Sequence, residues 1–466
     1  MYHPPSFKSN ERAQILIILA LGLVGFLCVT ALAVDLGQVY NDRRYDQNVA
    51  DSAALAAGQA ALENFKWLKP SGFNCDTGGA YVTSLSDPAW VTKPAWMDAA
   101  RLEAIFTVAK TTAASNNKTD LVDGLATQNG VALACGMQSD GVTPFLDVKV
   151  MVSNNANTSF VQFFNGGPMR NTVQTVTRTI PRNAMLGGYA IYALDPSCQE
   201  GITLLGGGHA NPNVEIDGGG AFSRSCIGST GHASMTASTS ISCLYNPSAP
   251  ASWCNPNDAN FNPRLSTINT DPLKGAIPVP DCTDRTIAPD RSASTGSTLQ
   301  PGYYSGGLPG HANLQLLPGL YCISGSVKVN GGGSITSIPD PVTGIRGVTI
   351  VFMDGEYSQT GNGYMSIEAP SPDPTVKIAP NTVPGVAIIF PPSNSSPLKI
   401  LGNSMTNITG TVYAPSSEIE VGGTAGVPIS TQFIGLKFKY NGTETEHVVY
   451  NGDVVYQLPA SLQLYK

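Results

Sequence analysis

The chain has 466 residues, a formal net charge of −7 and only 13% charged residues. It carries no basic stripe that could neutralise a phosphate backbone, so the composition argues against nucleic-acid binding. The length is sufficient for two domains outside a membrane.

The first predicted element is a run of twenty uncharged, almost wholly apolar residues from Ile15 to Val34. A helix of this length spans about 30 Å, the thickness of a bilayer hydrocarbon core. We therefore predict a single transmembrane helix over 15–34, preceded by a cytoplasmic tail over 1–14. A cleaved signal peptide is the alternative, because Ala31-Leu32-Ala33 loosely fits a cleavage site, although the helical pattern continues past it.

The membrane helix is predicted to continue from Asp35 to Asn64, a segment without proline. Small apolar residues recur at Val49, Ala53, Ala56 and Ala60 with the spacing of one helical face. This face would pack either on the chain's own domain or on the helix of a similar subunit, and the pattern does not separate the two.

Further elements follow in the next hundred residues. Helical spacing predicts a second helix over Met97 to Ala114 and a short helical turn over Thr158 to Asn165. Alternation and β-branched residues predict strands over Phe145 to Val152 and Thr172 to Ile180. Only 13 of the 49 glycines precede residue 186, so we divide the chain into an α+β region over 35–185 and a glycine-rich region over 186–466.

The glycine-rich region is predicted to be all β. Val214 to Gly220 and Val327 to Gly333 are nearly repeated segments in which a short alternating strand stops at glycines, and Ile419 to Gly423 is a weaker copy. Further short β-rich runs follow at intervals of roughly 10 to 16 residues: Val348 to Phe352, Met365 to Ile367, Val376 to Ile378, Val386 to Phe390, Leu398 to Leu401, Val412-Tyr413 and Phe433 to Leu436. This spacing favours a parallel β-helix or solenoid, with a β-sandwich as the alternative.

Cysteine usage indicates the compartment. Cys28 lies in the apolar span, and the other eight cysteines form no Cys-x-x-Cys pair, so disulfides in an oxidising compartment are favoured over zinc. The candidate disulfide cysteines are Cys75, Cys135, Cys198, Cys226, Cys243, Cys254, Cys282 and Cys322. Their connectivity cannot be deduced, although Cys243–Cys254 and Cys282–Cys322 are plausible local pairs. We expect the N-terminus in the cytoplasm and the large C-terminal part in the periplasm or outside the cell.

The helix carries a dense motif. Gln14 precedes the apolar span, Ala33-Val-Asp-Leu-Gly-Gln-Val-Tyr40 follows it, and Arg43-Arg44, Gln47-Asn48 and Ala50-Asp-Ser-Ala-Ala-Leu-Ala-Ala57 continue the pattern. Over about fifty residues this resembles the Tad/Flp pilus-assembly proteins of the TadE/TadG type. Phe163-Phe164, between the two predicted strands, is similar in a less specific way.

The resemblance implies a bacterial inner-membrane protein with a structural role in a Tad pilus or secretion system. Its partners would be membrane lipid and other Tad pilus-assembly or pilin-like proteins that pack on the N-terminal helix. No glycine precedes Glu11 as in processed pilin-like members, so an unprocessed, membrane-retained protein is implied. Some TadG-like proteins carry a β-helical extension similar to Gly410 to Pro415. The motif residues expected to act in helix packing are Gln14, Asp35, Gly37, Tyr40, Arg43, Arg44, Gln47, Ala50, Asp51, Ala53, Ala54 and Ala57.

No catalytic motif or cofactor-binding loop is recognisable, so we expect no enzyme, cofactor or metal site. Asp281, Asp284 and Asp290 are candidate Ca²⁺ ligands by residue type, but their spacing fits no EF-hand and favours a solvated loop. Tyr303, Tyr304 and Trp253 would be candidates for stacking on surface glycans if the chain were a tethered adhesin. A polysaccharide-acting enzyme on a β-helix is a weaker alternative, because carboxylates are sparse.

Overall fold

A computed structural model describes most of the chain: residues 10–66, 68, 72–118, 121–123, 130–138, 143–156, 158, 160, 169–196, 201–206, 213–243, 275–294, 298–402, 406–423 and 428–465. The predicted turn over 158–165, including Phe163-Phe164, lies largely outside these residues. So do Cys198, Cys254 and Trp253.

Two α-helices lie in the first quarter of the chain. Helix α1 (Asn10–Phe65) is continuous over 56 residues, which corresponds to about 84 Å at 1.5 Å per residue. Helix α2 (Ala99–Ser115) begins after Asp98, whose carboxylate accepts a hydrogen bond of 2.8 Å from the Arg101 amide. An aspartate at this position satisfies an otherwise unpaired amide of the first helical turn. The predicted continuation of the membrane helix and the second helix are both present.

Helix α1 packs on a five-stranded sheet with the order β1-β2-β3-β4-β29. Its strands are β1 (Val122–Asp123), β2 (Gly130–Met137), β3 (Pro144–Ala156), β4 (Met169–Ile180) and β29 (Ser461–Tyr465). Strands β2, β3, β4 and β29 pair antiparallel in that order, whereas β1 pairs with β2 in parallel. The C-terminal strand therefore pairs with a strand that lies almost three hundred residues earlier in the chain. Helices α1 and α2 and the inner face of this sheet enclose one apolar core.

The glycine-rich region forms a second body, which we call the β-stack, with its own core. A short 3₁₀ turn (Met185–Gly188) leads into it, and β5 (Asn183–Ala184) and β28 (Gln457–Leu458) pair antiparallel at its base. Its strands are β6 (Tyr189–Ala193), β7 (Ile202–Gly206), β8 (Asn213–Asp217), β9 (Gly220–Ser223), β10 (Ile227–Thr230), β11 (Ser234–Ala237), β12 (Ile241–Cys243), β13 (Asp290–Arg291), β14 (Thr298–Leu299), β15 (Gly302–Tyr304), β16 (Asn313–Leu316), β17 (Gly319–Ile323), β18 (Val327–Val329), β19 (Ser334–Ser337), β20 (Val348–Phe352), β21 (Tyr357–Gln359), β22 (Tyr364–Glu368), β23 (Val386–Ile389), β24 (Leu398–Gly402), β25 (Asn407–Gly423), β26 (Thr431–Gly442) and β27 (Glu446–Val449).

Strands of the β-stack pair in parallel, and successive strands join successive ladders. Strand β17 pairs with β20 and β20 with β23; β18 pairs with β21 and β21 with β24; β19 pairs with β22 and β22 with β25. The long strands β25 and β26 each run through more than one ladder. Parallel pairing of this kind is unlike the antiparallel sheets of a β-sandwich.

The order of strands in space differs from their order in the chain. Strand β26 pairs on its far side with β6 and β7, and these pair with β9 and β10. The strands that come first in the β-stack sequence, β6 and β7, therefore lie next to β26, which comes near its end, and β9 and β10 lie beyond them. The chain enters and leaves the β-stack close to the same place, next to the five-stranded sheet.

One ladder of the β-stack is buried on both faces. The outward residues Cys322, Val351, Tyr413 and Ile434 lie in a row and are covered by residues of the segment 276–288. Cys282 of that segment forms a disulfide with Cys322, as the sequence predicted.

The other disulfides are described in part. Cys75 pairs with Cys135 and joins a loop to β2 of the N-terminal sheet. Cys226 and Cys243 are also disulfide-bonded. The pairing Cys243–Cys254 stays a prediction, because Cys254 lies outside the described residues. Cys28 is a free, exposed thiol in α1.

One predicted strand is wrong. Val376 to Ile378 forms a turn and an irregular segment, and Val376 is 48% exposed. The hydroxyl and amide of Thr375 both donate to the Asp373 carboxylate, which closes a local turn. Such local hydrogen bonds compete with those of a strand ladder. The predicted strand of three residues buries too little apolar surface to outweigh them, since Val376 is exposed.

Candidate functional site

The first half of α1 is an apolar surface that nothing in the described structure covers. Its most apolar 18-residue window has a mean hydropathy of 2.9 and is wholly unburied. The large side chains of residues 15–34 are between 49% exposed at Leu32 and 71% exposed at Leu16. A soluble surface does not tolerate a continuous apolar cylinder of this size, so this half is suited to a bilayer or to other apolar helices.

The end of the apolar half is marked by one buried acid. Asp35 is 1% exposed, and its carboxylate accepts a hydrogen bond of 2.9 Å from the Phe160 amide. The side chains that follow are solvent-facing: Gly37 has no atom within 4 Å of an added Cβ, Tyr40 is 64% exposed, and the Arg44 guanidinium lies 5.9 Å from the Tyr40 ring centre. Tyrosine and arginine at this position suit the level of lipid headgroups.

The second half of α1 lies in the core of the chain's own N-terminal region. Ala50, Ala53, Ala54 and Ala57 are all fully buried there. The small side chains bring the helix backbone close to the sheet: a Cβ added to Gly58 would lie 2.5 Å from Thr177 Cγ2 and 2.8 Å from Leu462 Cδ1. In this structure the alanine face of α1 is therefore occupied by the chain itself.

Two polar motif residues fix the rotation of α1 against the sheet. Gln47 Nε2 donates to Asp51 Oδ1 over 2.7 Å and to Thr175 Oγ1 of β4 over 2.8 Å. Thr175 Oγ1 in turn donates to Asp51 Oδ1 over 2.5 Å. A closed network of this kind is satisfied in one register only, because any shift would leave buried polar atoms without partners.

Residues 13–60 match a family model described as putative Flp pilus-assembly TadE/G-like. Helix α1 carries a TadE/G-like segment. The match contains the motif from Gln14 to Ala57, so the predicted resemblance is confirmed for this helix. No curated protein matches the chain.

The TadE/G-like segment spans both environments of α1. Its exposed members are Gly37, Tyr40, Arg43 and Arg44. Its buried members are Asp35, at the end of the apolar half, and Ala50, Ala53, Ala54 and Ala57 in the core. Gln47 and Asp51 lie half-buried between the two sets. Gln14 belongs to the helix, but its side chain lies outside the described residues.

The acidic residues that were weighed as calcium ligands are used locally. The Asp281 carboxylate accepts from the amide and hydroxyl of Thr283, and Asp284 does the same with Thr286. The hydroxyl bonds hold the pKa of both aspartates below the ordinary value. Asp290 pairs with Arg285 over 2.9 Å. Within the described residues no group of three or more His, Cys, Asp or Glu is arranged to hold a metal ion.

The aromatic residues that were weighed for glycan stacking are mostly unavailable. Tyr304 is 2% exposed, and its hydroxyl donates to the Gln300 carbonyl over 2.7 Å. Tyr303 is half-buried with the Arg285 guanidinium 3.6 Å from its ring centre. Tyr304 therefore packs between strands, and the outer face of Tyr303 is already occupied by a cation.

Sequence reasoning missed a buried acid in the middle of α1. Asp46 is 0% exposed, and its carboxylate lies next to Lys118 and Asn171. The helical pattern could not reveal it, because a buried position is expected to be apolar and both partners come from other elements.

Proposed function

We propose that this chain is a non-enzymatic, inner-membrane-anchored component of a Tad (Flp) pilus assembly or secretion system. The observation that carries the proposal is the TadE/G-like segment on a helix whose first half is apolar and uncovered. The N-terminal tail lies in the cytoplasm, and the five-stranded sheet and the β-stack lie in the periplasm or at the cell surface. The disulfides Cys75–Cys135 and Cys282–Cys322 support an oxidising compartment for both bodies.

Partner helices pack on the exposed part of the TadE/G-like segment and not on its alanine face. Ala53, Ala54 and Ala57 already contact the chain's own core, so a partner there would have to displace it. The exposed half offers Gly22, Gly25 and Gly37, each with no atom within 4 Å of an added Cβ. Small residues of this kind let helix backbones approach closely in a bilayer.

The β-stack acts as a rigid module beyond the membrane. We interpret its three parallel ladders as the faces of a parallel β-helix, since successive strands join successive ladders. Such a body needs no partner to bury its core, which suits a spacer or tip module carried by the anchor.

The test is site-specific photocrosslinking in native membranes, with the full-length chain carrying a photoreactive residue at one position. Probes at Leu36 and Tyr40, which are 55% and 64% exposed, should crosslink to pilin-like or pilus-platform proteins identified by mass spectrometry. A probe at Leu464, which is 42% exposed but lies on the sheet far from the span, is the matched control and should not capture them.

A deletion strain supplies the second arm of the test. Loss of the gene should abolish pilus assembly and surface attachment, and the full-length chain should restore both. Normal assembly in the deletion strain, or capture of unrelated envelope proteins alone at Leu36 and Tyr40, would rule out the proposed role.

A further inference from the structure

A lysine, an asparagine and an aspartate meet where α1 enters the N-terminal core. Lys118 Nζ lies 2.8 Å from Asp46 Oδ1, and Asn171 Nδ2 donates to Asp46 Oδ2 over 3.3 Å. Asp46 belongs to α1, Lys118 follows α2, and Asn171 is in β4. One carboxylate thus holds the lysine amine and the asparagine amide side by side.

The three groups are removed from water. The Asp46 side chain is 0% exposed, that of Lys118 is 11% exposed, and Asn171 is 8% exposed. The Tyr45 ring lies 5.9 Å from Lys118 Nζ, and the Tyr45 hydroxyl is held by the Asn116 carbonyl. The lysine amine, the carboxylate and the asparagine amide therefore lie together in a site that is largely closed to water.

The contact between Lys118 and Asp46 is close but poorly aligned. Although Nζ is 2.8 Å from Oδ1, that oxygen has no hydrogen bond among the described residues. Nζ of Lys118 therefore lies beside the Asp46 carboxylate without a directed hydrogen bond to it.

We propose that Lys118 and Asn171 join in an intramolecular amide bond, with Asp46 as the proton carrier. Asp46 takes a proton from the Lys118 ammonium, and the neutral Nζ attacks Cγ of Asn171. The Nζ–Cγ bond forms, and Nζ gives up a second proton, which is transferred to Nδ2. Asp46 returns the first proton to Nδ2 as the Cγ–Nδ2 bond breaks, so Nδ2 leaves as an ammonium ion and Asp46 is again a carboxylate. The products are one secondary amide and one ammonium ion, so the step needs no oxidant, cofactor or second enzyme.

A second cluster also combines a carboxylate, lysine amines and an asparagine amide, with glutamate in place of aspartate, and serves as an internal comparison. Glu420 contacts Lys439 over 3.1 Å, Lys399 over 3.5 Å and the Asn441 amide over 3.2 Å. The two lysine side chains are 29% and 35% exposed on the outer face of the β-stack. These two lysine side chains keep contact with water, so no amide should form there.

The position of the proposed bond has a mechanical meaning. Asp46 is close to the last point at which α1 is exposed before its alanine face enters the core. An amide from Lys118 to Asn171 would tie the end of α2 to the start of β4 across α1. A force applied to the membrane helix would then act on the covalent Lys118–Asn171 link before it acted on the apolar contacts of the core.

Peptide mapping of the full-length wild-type chain tests the proposal. The detergent-solubilised protein is reduced, alkylated and digested with trypsin. The expected product is the segment 111–149, uncleaved at Lys118, joined to the segment 171–178 and lighter than their sum by one ammonia. Free 171–178 should be absent. Lys399 and Lys439 should be cleaved normally.

Two variants keep the charge or the shape of the site. Lys118→Arg retains a cation beside Asp46, and Asp46→Asn retains its size but cannot carry the proton. In both, free 171–178 should appear, and circular dichroism checks that the variants are folded. Recovery of free 171–178 in full yield from the wild type would overturn the proposal. Loss of ammonia without joined peptides would overturn it equally, because it would reflect cyclisation of an asparagine elsewhere.

Discussion

Two buried carboxylates among the described residues, Asp147 and Glu446, have opposite surroundings. Asp147 is 4% exposed and accepts two hydrogen bonds of 2.8 Å from Arg178, whose guanidinium also stacks on Phe145 and Tyr465. The Asp147 bond raises the pKa of Arg178. Glu446, by contrast, points into the core of the β-stack beside Val214. Burial raises the pKa of Glu446 to about 8.

Glu446 should make the β-stack less stable in alkaline solution. Its pKa rises from 4.5 to about 8 on folding, so between these values the unfolded chain ionises while the folded chain stays protonated. The favourable contribution is complete below about pH 4.5, declines by at most about 1.4 kcal/mol per pH unit, and is lost above about pH 8. Glu446→Gln should flatten this slope in denaturant unfolding. Glu368→Gln, at an exposed carboxylate, should keep it.

The residue-scale chemistry was largely hidden in the sequence. In an alternating strand such as Glu446-His-Val-Val449, the sequence does not show which alternate residues face the core. The charged Glu446 would suggest that its own side of the strand faces solvent, whereas that side is buried. His447 instead lies outside, 3.2 Å from Glu215. Asp46 was hidden for the same reason. Buried polar residues depend on partners from distant elements, which no local period can indicate.

Helix α1 has an uncovered apolar half and a half that is buried in the N-terminal core. The sequence predicted this division only in part. The twenty-residue apolar run and the alanine spacing defined the helix, but the predicted face only in part. Val49 and Ala53 are buried as predicted, whereas Ala56 and Ala60 are half-buried. What covers that face was left open, because Thr177 and Leu462 come from strands more than a hundred residues away. The structure places the alanines on the chain's own sheet, which is the simpler of the two alternatives.

Two glycines of α1 should respond in opposite ways to the same substitution. Gly58→Ala places a Cβ 2.5 Å from Thr177 Cγ2, a buried β-branched side chain that cannot move away, and should cost about 1–3 kcal/mol. Gly37→Ala meets nothing within 4 Å and should stabilise the helix by up to about 1 kcal/mol. Thermal unfolding midpoints of the two variants in detergent measure this difference. Equal midpoints would mean that α1 does not pack on β4 as described.

At the scale of the whole molecule, the N-terminal sheet and the β-stack are joined at several points. Strand β29 returns to β4, strands β5 and β28 pair beneath the β-stack, and Arg182 donates to the carbonyls of Leu68 and Pro372 over 3.1 and 2.7 Å. Burial lowers the pKa of Arg182. Its hydrogen bonds to Leu68 and Pro372 nevertheless hold the side chain between the two bodies. The two regions therefore hold a defined orientation.

Arg182→Met should loosen the two bodies without unfolding either. It keeps most of the apolar volume but removes the donors to Leu68 and Pro372, at a cost of about 1–3 kcal/mol. Limited proteolysis should then cut faster between residues 181 and 188, while fragments of the β-stack stay intact. Arg170→Met, at an exposed arginine of β4, is the control and should leave the cleavage rate unchanged.

Removal of residues 459–466 should weaken the N-terminal sheet and spare the β-stack. The deletion exposes the edge of β4 and takes away the Tyr465 ring, 3.6 Å from the Arg178 guanidinium carbon. Hydrogen exchange should accelerate in β4 and in the second half of α1 but not in β20 or β23. A milder variant, Tyr465→Phe, keeps the ring and should exchange like the wild type.

The amino-acid composition indicated where the β-rich half begins. It did not indicate that the last strand, β29, pairs with β4 of the N-terminal sheet. The rise in glycine content near residue 186 is a local property. The pairing of β29 with β4 is a contact between segments almost three hundred residues apart. A five-residue strand with Leu462 and Leu464 alternating resembles any other strand of the β-stack, so its sheet could not be assigned from the sequence.

The pairing of β29 with β4 determines when the N-terminal sheet can be completed. The ribosome makes α1 first and β29 only after the whole β-stack, so the edge of β4 stays unpaired until β29 has been made. A chain truncated within the β-stack would present that open edge and the uncovered part of α1 to proteases. Completion of the small sheet therefore depends on synthesis of the entire β-stack.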